Sequence, residues 1–199
     1  MKRVFKSLLS AMFRVLSLPA FGLYLSQAYI VGDRRAFGAV MQFASLWPGI
    51  TGEWFRRGVL QWVTGCSLKD CCISFGTTFS DPRVRIDDGV YLGTRCDIGW
   101  AEIGRDCVIG SGVHIMSGSR QHFFDDPDVP IRDQGGVFRK IGIGRDTWIG
   151  NGSLIAADVG VGCVIGAGSV VVSAVPDYAV AVGSPCRVVR FRSFGDGGS

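Results

Sequence analysis

The sequence predicts a mainly β chain wound as a solenoid of six-residue units, fronted by a helical segment and broken once by a long loop. Three observations predict it. An aliphatic residue followed by glycine recurs at six-residue intervals from Ile86 onward. Glycine is abundant, 29 of 199 residues, while 7 prolines and the lack of a Gly-X-Y triplet exclude collagen. Residues 1–65, by contrast, combine helical spacing with basic charge. An apolar fraction of 47% with 19% charged residues excludes wholesale disorder, and the length fits one ordinary domain with an appendage.

The front segment, residues 1–65, comes first. Phe5, Leu8, Leu9, Met12, Phe13 and Leu16 fall at helical spacing, with Lys2, Arg3, Lys6, Ser10 and Arg14 elsewhere on the surface. This is an amphipathic basic helix, suited to an anionic membrane interface. Residues 1–60 hold eight basic and two acidic residues, while the remainder holds 13 basic and 15 acidic, within a net charge of +4. Basic residues set among Leu, Phe and Val fit a membrane and not nucleic acid. Val15 to Gly32 is an uncharged run of 18 residues, at the lower edge of a bilayer span, and Pro19, Gly22, Ser26 and Gln27 weaken a span. A helix pair lying on the membrane or packed on a neighbour is expected, with contact to the inner face of the cytoplasmic membrane through residues 1–35. The other reading is that these helices cap the open first coil, which every solenoid needs, and the two are compatible. Trp47, Trp54 and Trp62 with Arg56 and Arg57 suit an interface, although aromatic core residues are as common. Arg14 interrupts the apolar start and no small-x-small cleavage site follows, so a secretory signal is not expected.

The repeats occupy residues 66–190. The hexads are IDDGVY at 86, LGTRCD at 92, IGRDCV at 103, IGSGVH at 109, IGRDTW at 143, IGNGSL at 149, VGVGCV at 159 and IGAGSV at 165. With the aliphatic residue as position i, glycine follows at i+1 in all but the first, where Asp87 stands. Position i+4 is always small: Val90, Cys96, Cys107, Val113, Thr147, Ser153, Cys163 and Ser169. A period of six is too short for a helix pair; it suits one short strand and one tight turn per unit, each coil stacking on the last. Positions i and i+4 point inward, and glycine stands where a Cβ would clash. Three such faces make a triangular coil of roughly 18 residues. The intervals Ile98 to Ile103 and Ile155 to Val159 are shortened, and residues 73–85 read as a degenerate first coil. Residues 191–199 read as a flexible tail. Cys96, Cys107 and Cys163 read as core thiols. The seven cysteines lack zinc spacing and only two histidines are present, so no metal site is expected and a reduced cytosolic chain is the simplest reading.

Between Ile115 and Ile143 the hexads stop, and a loop, residues 116–142, intervenes with the sequence MSGSRQHFFDDPDVPIRDQGGVFRKIG. A loop that long inside a repeat array is usually functional. It holds His122, with Asp125 and Asp126 three and four residues on. Arg120 and Arg132 are available to an anionic acceptor, or merely meet water. His114, at i+5 of IGSGVH, sits beside the loop.

The hexad pattern resembles the hexapeptide-repeat acyltransferase family over roughly residues 70–190. SGSRQHFFDD, RDQGGVF and WPGITGEWFRRGVL resemble, within it, polysaccharide-biosynthesis O-acetyltransferases of the colanic-acid type. The resemblance implies a left-handed parallel β-helix, a homotrimer with its active site between neighbouring helices, acetyl-CoA as donor, and a saccharide hydroxyl as acceptor, including one held on a lipid carrier. It makes His122 the loop base. A hydroxyl is a poor nucleophile near neutral pH, and neutral imidazole suits the task of taking its proton. Asp125 or Asp126 would orient the ring through its other nitrogen, or be solvated loop acids. His114 is the second candidate, or a turn or acceptor-pocket position. WIGNGSLI matches the family's WIG motif, which implies Trp148 near the reaction end and Asn151 near the thioester. Ala167 and Ser173 match pantetheine-side positions, with Ser173 where the family often has lysine. VPDYAVAVGSPCRVVR matches the terminal motif, with Ser184 for the conventional Asn, and brings Arg187 and Arg190 toward the coenzyme's phosphates. The alternatives are transfer to an amino sugar or to a small alcohol such as serine, and a β-helix scaffold without catalysis.

Overall fold

The computed structural model describes residues 2–193, with side chains from Leu8 onward; most of the expected tail, 194–199, lies outside the described residues. Four helices open the chain: α1 (Lys2–Leu16), α2 (Leu18–Val31), α3 (Asp33–Ser45) and α4 (Gly49–Thr64). The coils follow. β1 (Cys72–Ile73), β2 (Thr78–Phe79) and β3 (Arg85–Ile86) make the first, so the degenerate stretch is a full turn. β4 (Tyr91–Leu92), β5 (Asp97–Ile98) and β6 (Ala101–Ile103) make the second, and β7 (Val108–Ile109), β8 (His114–Ile115) and β9 (Ile141–Ile143) the third. β10 (Trp148–Ile149) and β11 (Leu154–Ile155) lead to a bridge at Val159, and β12 (Val164–Ile165) and β13 (Val170–Val171) to one at Val175. β14 (Ala179–Val182) and the antiparallel β15 (Arg187–Phe191) close the stack, β15 running one residue past the expected boundary.

Pairing between coils is parallel throughout, in three sheets. One face stacks Ile73, Leu92, Ile109, Ile149, Ile165 and Ala181, and the second stacks Phe79, Ile98, Ile115, Ile155 and Val171. The third stacks Ile86, Ile103, Ile143, Val159 and Val175. All of these side chains are buried, and each large one contributes about 1.5–3 kcal/mol of transfer free energy. The eight small i+4 residues are buried as well, including the three cysteines. The coils are not uniform. Ile73 to Leu92 is 19 residues, Leu92 to Ile109 is 17, and Ile149 to Ile165 is 16. The shortened steps, five residues from Ile98 to Ile103 in one coil and four from Ile155 to Val159 in the other, account for the contractions below 18.

The glycine at i+1 is required by approach between coils. A Cβ on Gly144 would lie 2.4 Å from the Val161 amide nitrogen, and one on Gly150 would lie 2.5 Å from that of Ala167. Left-handed backbone occurs two residues later, at Gly112 and Gly152, and there Arg95, Asp106 and Asp146 adopt it too.

The helices cap the first coil, one of the two readings above. Phe37 of α3 packs on Phe79 of β2, ring centroids 6.4 Å apart. From α4, Arg56 Nε donates to Ile73 O at 2.9 Å, and its Nη1 donates to Trp47 O at 2.7 Å and Ala44 O at 3.3 Å. Arg57 donates to Cys71 O and Ser10 Oγ. Both arginines are buried. The expectation that they line an interface is therefore corrected: a solenoid's end exposes strand carbonyls, and the guanidinium's several donors satisfy them. In place of a separate helix pair, α1 and α2 run on as one rod, since Ser17 N donates to Phe13 O and Phe21 N to Ser17 O.

Candidate active site

The long loop leaves at the corner after β8 and returns at β9, spanning residues 116–140, two residues shorter than expected. Its two limbs pair with each other. Arg139 N donates to Ser117 O at 2.9 Å, Val137 N to Arg120 O at 2.8 Å, and Phe123 N to Gly135 O at 2.9 Å. Gly136 makes the pairing feasible, because a Cβ there would stand 1.9 Å from Gln121 O. The tip is clasped by Gln134, whose Nε2 donates to Asp126 O and Val129 O, while its Oε1 accepts from Asp126 N. His122 lies in the outgoing limb between two of these cross-links, and it is exposed.

The loop's base is tied to the body and to the helices. Ser117 Oγ accepts from Trp100 N at 2.9 Å. The Arg83 guanidinium stacks over Trp100 at 3.6 Å, and Arg83 and Arg34 both pair with the buried Asp81, at 2.7 and 3.0 Å. Burial alone would raise the Asp81 carboxyl, but these arginines hold it below its ordinary range. Arg34, near the start of α3, also lies over Phe138 of the returning limb at 5.1 Å. Arg139 meets Asp158 at 3.1 Å, and Lys140 pairs with Glu102.

The expected acids fall differently from one another. Asp126 Oδ1 accepts from Asp128 N at 2.9 Å, an Asx turn that shapes the loop tip. Asp125 lines an open groove of about 690 Å³ together with Arg120, Phe123, Asp126, Pro127, Val129 and Gln134. Among the described residues no hydrogen bond joins the His122 side chain to either acid. Arg120, also in that lining, sits over the Phe123 ring at 5.2 Å, whereas Arg132 is exposed and pairs with neighbouring Asp133 at 3.5 Å. Phe123, Gln134 and Gly136 are the residues that shape this region without having been singled out; RDQGGVF carried two of them, but nothing in its spacing announces a clasp.

The remaining candidates are spread over the same stack, all but Ser173 on other edges. His114 is on the outer side of the second face, between Asp97 and Leu154 in the ladder. Trp148 is exposed on the first face, between Val108 and Val164. Asn151 and Ala167 share the corner between the first and second faces, and Asn151 Oδ1 accepts from Ser111 N at 2.8 Å. Ser173 is exposed on the corner from which the loop leaves, two coils further on. Arg187 and Arg190 are exposed on β15, where Arg190 pairs with Val180 across the strand. One chain thus brings Arg120, Asp125 and Asp126 together in a groove on the loop that carries His122, and keeps Trp148, Asn151 and Ala167 apart from them.

Comparison with known proteins agrees with this architecture. No family model matches the chain. A protein of Mycobacterium tuberculosis (strain H37Rv) named as a probable acetyltransferase is 39% identical over 117 residues, 55% of this chain, but the chain spans only 37% of that relative's length. An Escherichia coli (strain K12) protein assigned as a lipopolysaccharide-biosynthesis O-acetyl transferase is 27% identical, over 64% of this chain and 67% of its own. Among solved structures, a maltose O-acetyltransferase of Clostridium difficile 630 superposes with a TM-score of 0.61 at 22% identity, covering 81% of this chain and 87% of that one. A galactoside acetyltransferase in complex with coenzyme A gives 0.54 at 21% identity, covering 80% of each. A Staphylococcus aureus (strain COL) protein assigned as an acetyltransferase is 36% identical over 174 residues, 69% of this chain and 86% of its own. With that identity over most of the relative's length, and with hexads stacked in three parallel ladders, the chain belongs to the hexapeptide-repeat acetyltransferase family.

Proposed function

We propose that the protein transfers the acetyl group of acetyl-CoA to a saccharide hydroxyl in polysaccharide biosynthesis, with His122 as general base. The carrying observation is the loop: its paired limbs hold His122 exposed, and residues on either side of it in the chain, Arg120, Phe123, Asp125 and Asp126, line an open groove. Such a groove suits a polyhydroxylated acceptor, since Phe123 offers an apolar ring and Asp125 and Arg120 offer hydrogen-bond partners for hydroxyls. The relatives support the same direction, one being assigned to lipopolysaccharide biosynthesis.

In this reading the imidazole takes the proton of the acceptor hydroxyl as its oxygen attacks the thioester carbonyl. The tetrahedral intermediate collapses by breaking the C–S bond, and the imidazolium returns the proton to the departing thiolate. No covalent acyl-enzyme forms, so no nucleophilic serine or cysteine is needed. Asp125 is the acid that remains available to orient His122, because Asp126 is committed to the loop tip. Donor contacts fall to Trp148, Asn151, Ala167 and Ser173, with Arg187 and Arg190 toward the phosphates. Because Trp148, Asn151 and Ala167 lie on edges separate from the loop, the reading includes assembly of copies, three by family resemblance, so that one chain's loop faces a neighbour's left-handed coils.

The test is thiol release from acetyl-CoA with a panel of sugar, sugar-nucleotide and lipid-linked acceptors. Acceptor-dependent release that drops at least about a hundredfold in His122→Ala, with coenzyme A binding retained, is the expected result. No release with any acceptor, together with no coenzyme A binding, would make the protein a scaffold.

A further inference from the structure

We propose that the outer side of the α1–α2 rod docks in the interface of an anionic bilayer, lying along the membrane and not crossing it. The rod comprises Lys2–Leu16 and Leu18–Val31, about 45 Å at helical rise. Phe13, Ser17, Ala20 and Tyr24 are buried against the other helices. Leu8, Met12, Val15 and Leu16 are exposed on the opposite side, and Leu23 and Ile30 continue that row at helical spacing. Within α2, which has no charged residue, only Ala20 and Tyr24 are buried, while Tyr29 is 94% and Ile30 78% exposed. A contiguous apolar strip of this length is unfavourable in water and marks a surface that something covers.

Charge decides what covers it. The first acidic residue of the chain is Asp33, so the rod's sequence carries Lys2, Arg3, Lys6 and Arg14 with no acid among them; Arg35 follows, while Arg34 is engaged with Asp81. Arg14 is held at the rod's flank, its guanidinium 4.5 Å from the Trp62 ring centre. A second copy of this chain would set the same cations against themselves, whereas anionic headgroups complement them.

Packing argues against a span, although Leu8–Val31 has the length and composition for one. The inner side is bound along its course: Arg57 Nη2 donates to Ser10 Oγ at 2.6 Å, Trp62 Nε1 to Arg14 O at 2.8 Å, and Tyr24 Oη to Asp33 Oδ1 at 3.4 Å. Gly58 approaches so closely that a Cβ would lie 2.6 Å from Ser17 Oγ. Crossing would strip the rod from α3 and α4, which hold the first coil. Three residues after the rod ends, Arg34 lies over Phe138 of the long loop. Given the saccharide-acceptor reading above, on which this last step rests, docking sets the loop at the surface where a lipid-held acceptor would be presented.

Sedimentation of the full chain with vesicles tests the docking. Binding to phosphatidylcholine vesicles containing phosphatidylglycerol, weak binding to phosphatidylcholine alone, and release by high salt or alkaline carbonate are expected. The double variant Leu23→Glu, Ile30→Glu should lower the bound fraction at least about tenfold. Its melting temperature and its acetyl transfer to a soluble acceptor should stay unchanged. Retention through carbonate would mean a span and overturn the proposal. Equal binding by the variant would also overturn it, as would absence of binding with a changed sedimentation coefficient in the variant, which would assign the strip to a second copy. Solution transfer is read separately, so failure of docking and failure of the acetyltransferase reading are distinguishable.

Discussion

Arg56 is 1% exposed, and its guanidinium serves three carbonyls, on β1, at the end of α3 and at Trp47. Arg56→Ala should therefore lower stability by about 3 kcal/mol or more, read as a shifted denaturation midpoint at unchanged slope, because buried acceptors are left unpaired. Arg190→Ala, on an exposed strand, should change stability by less than about 0.5 kcal/mol. Nothing in the residue pattern separates these arginines. Arg56 and Arg57 stand among tryptophans and read equally as an interface; the need for donors at the solenoid's open end is visible only once the strands exist. The place of His122 on the loop was legible because it falls in the long stretch where the hexads stop, and the turn made by Asp126 was not, because an Asx turn with Asp128 depends on how the loop tip folds.

Elements differ in how local their causes are. Each hexad carries its own instructions: an inward aliphatic, a glycine where the next coil's backbone arrives, a small residue at the corner. This translational order is why the three ladders and even the trimmed third face could be read in advance. Gly150→Ala should cost about 1–3 kcal/mol, since its Cβ would meet the Ala167 backbone at 2.5 Å with no flexible side chain to yield. The loop obeys no period. Its limbs are held by pairings between positions more than ten residues apart and by the Gln134 clasp. Gly136→Ala should push Gln121 and His122 away from the returning limb, lowering acetyl transfer strongly while the melting temperature moves little. A parallel fall in both would mean that the loop holds the coils together.

At the scale of the whole molecule, the core that makes the solenoid stable also sets its response to pH. Burial pushes the thiols of Cys71, Cys72 and Cys107 up to about 11 from an ordinary 9.0. Below pH 9 these thiols are protonated in folded and unfolded chain alike. Between about 9 and 11 the unfolded chain ionises and the folded one does not, so the unfolded state is favoured progressively and the melting temperature should fall across that window. A melting temperature flat to pH 11 would contradict their burial. The fold was legible at this scale because stacking repeats one unit; how the proposed donor residues meet the loop was not, because Trp148, Asn151 and Ala167 share neither an edge nor a corner with it in one chain. The central claim is that the loop histidine, and not the histidine on the second face, performs the proton transfer. Single-turnover acetyl transfer by His122→Ala and His114→Ala, each at saturating acetyl-CoA, tests it most directly. A loss of at least about a hundredfold for His122→Ala with a change of a few fold for His114→Ala is the predicted result, and the reverse order would contradict it.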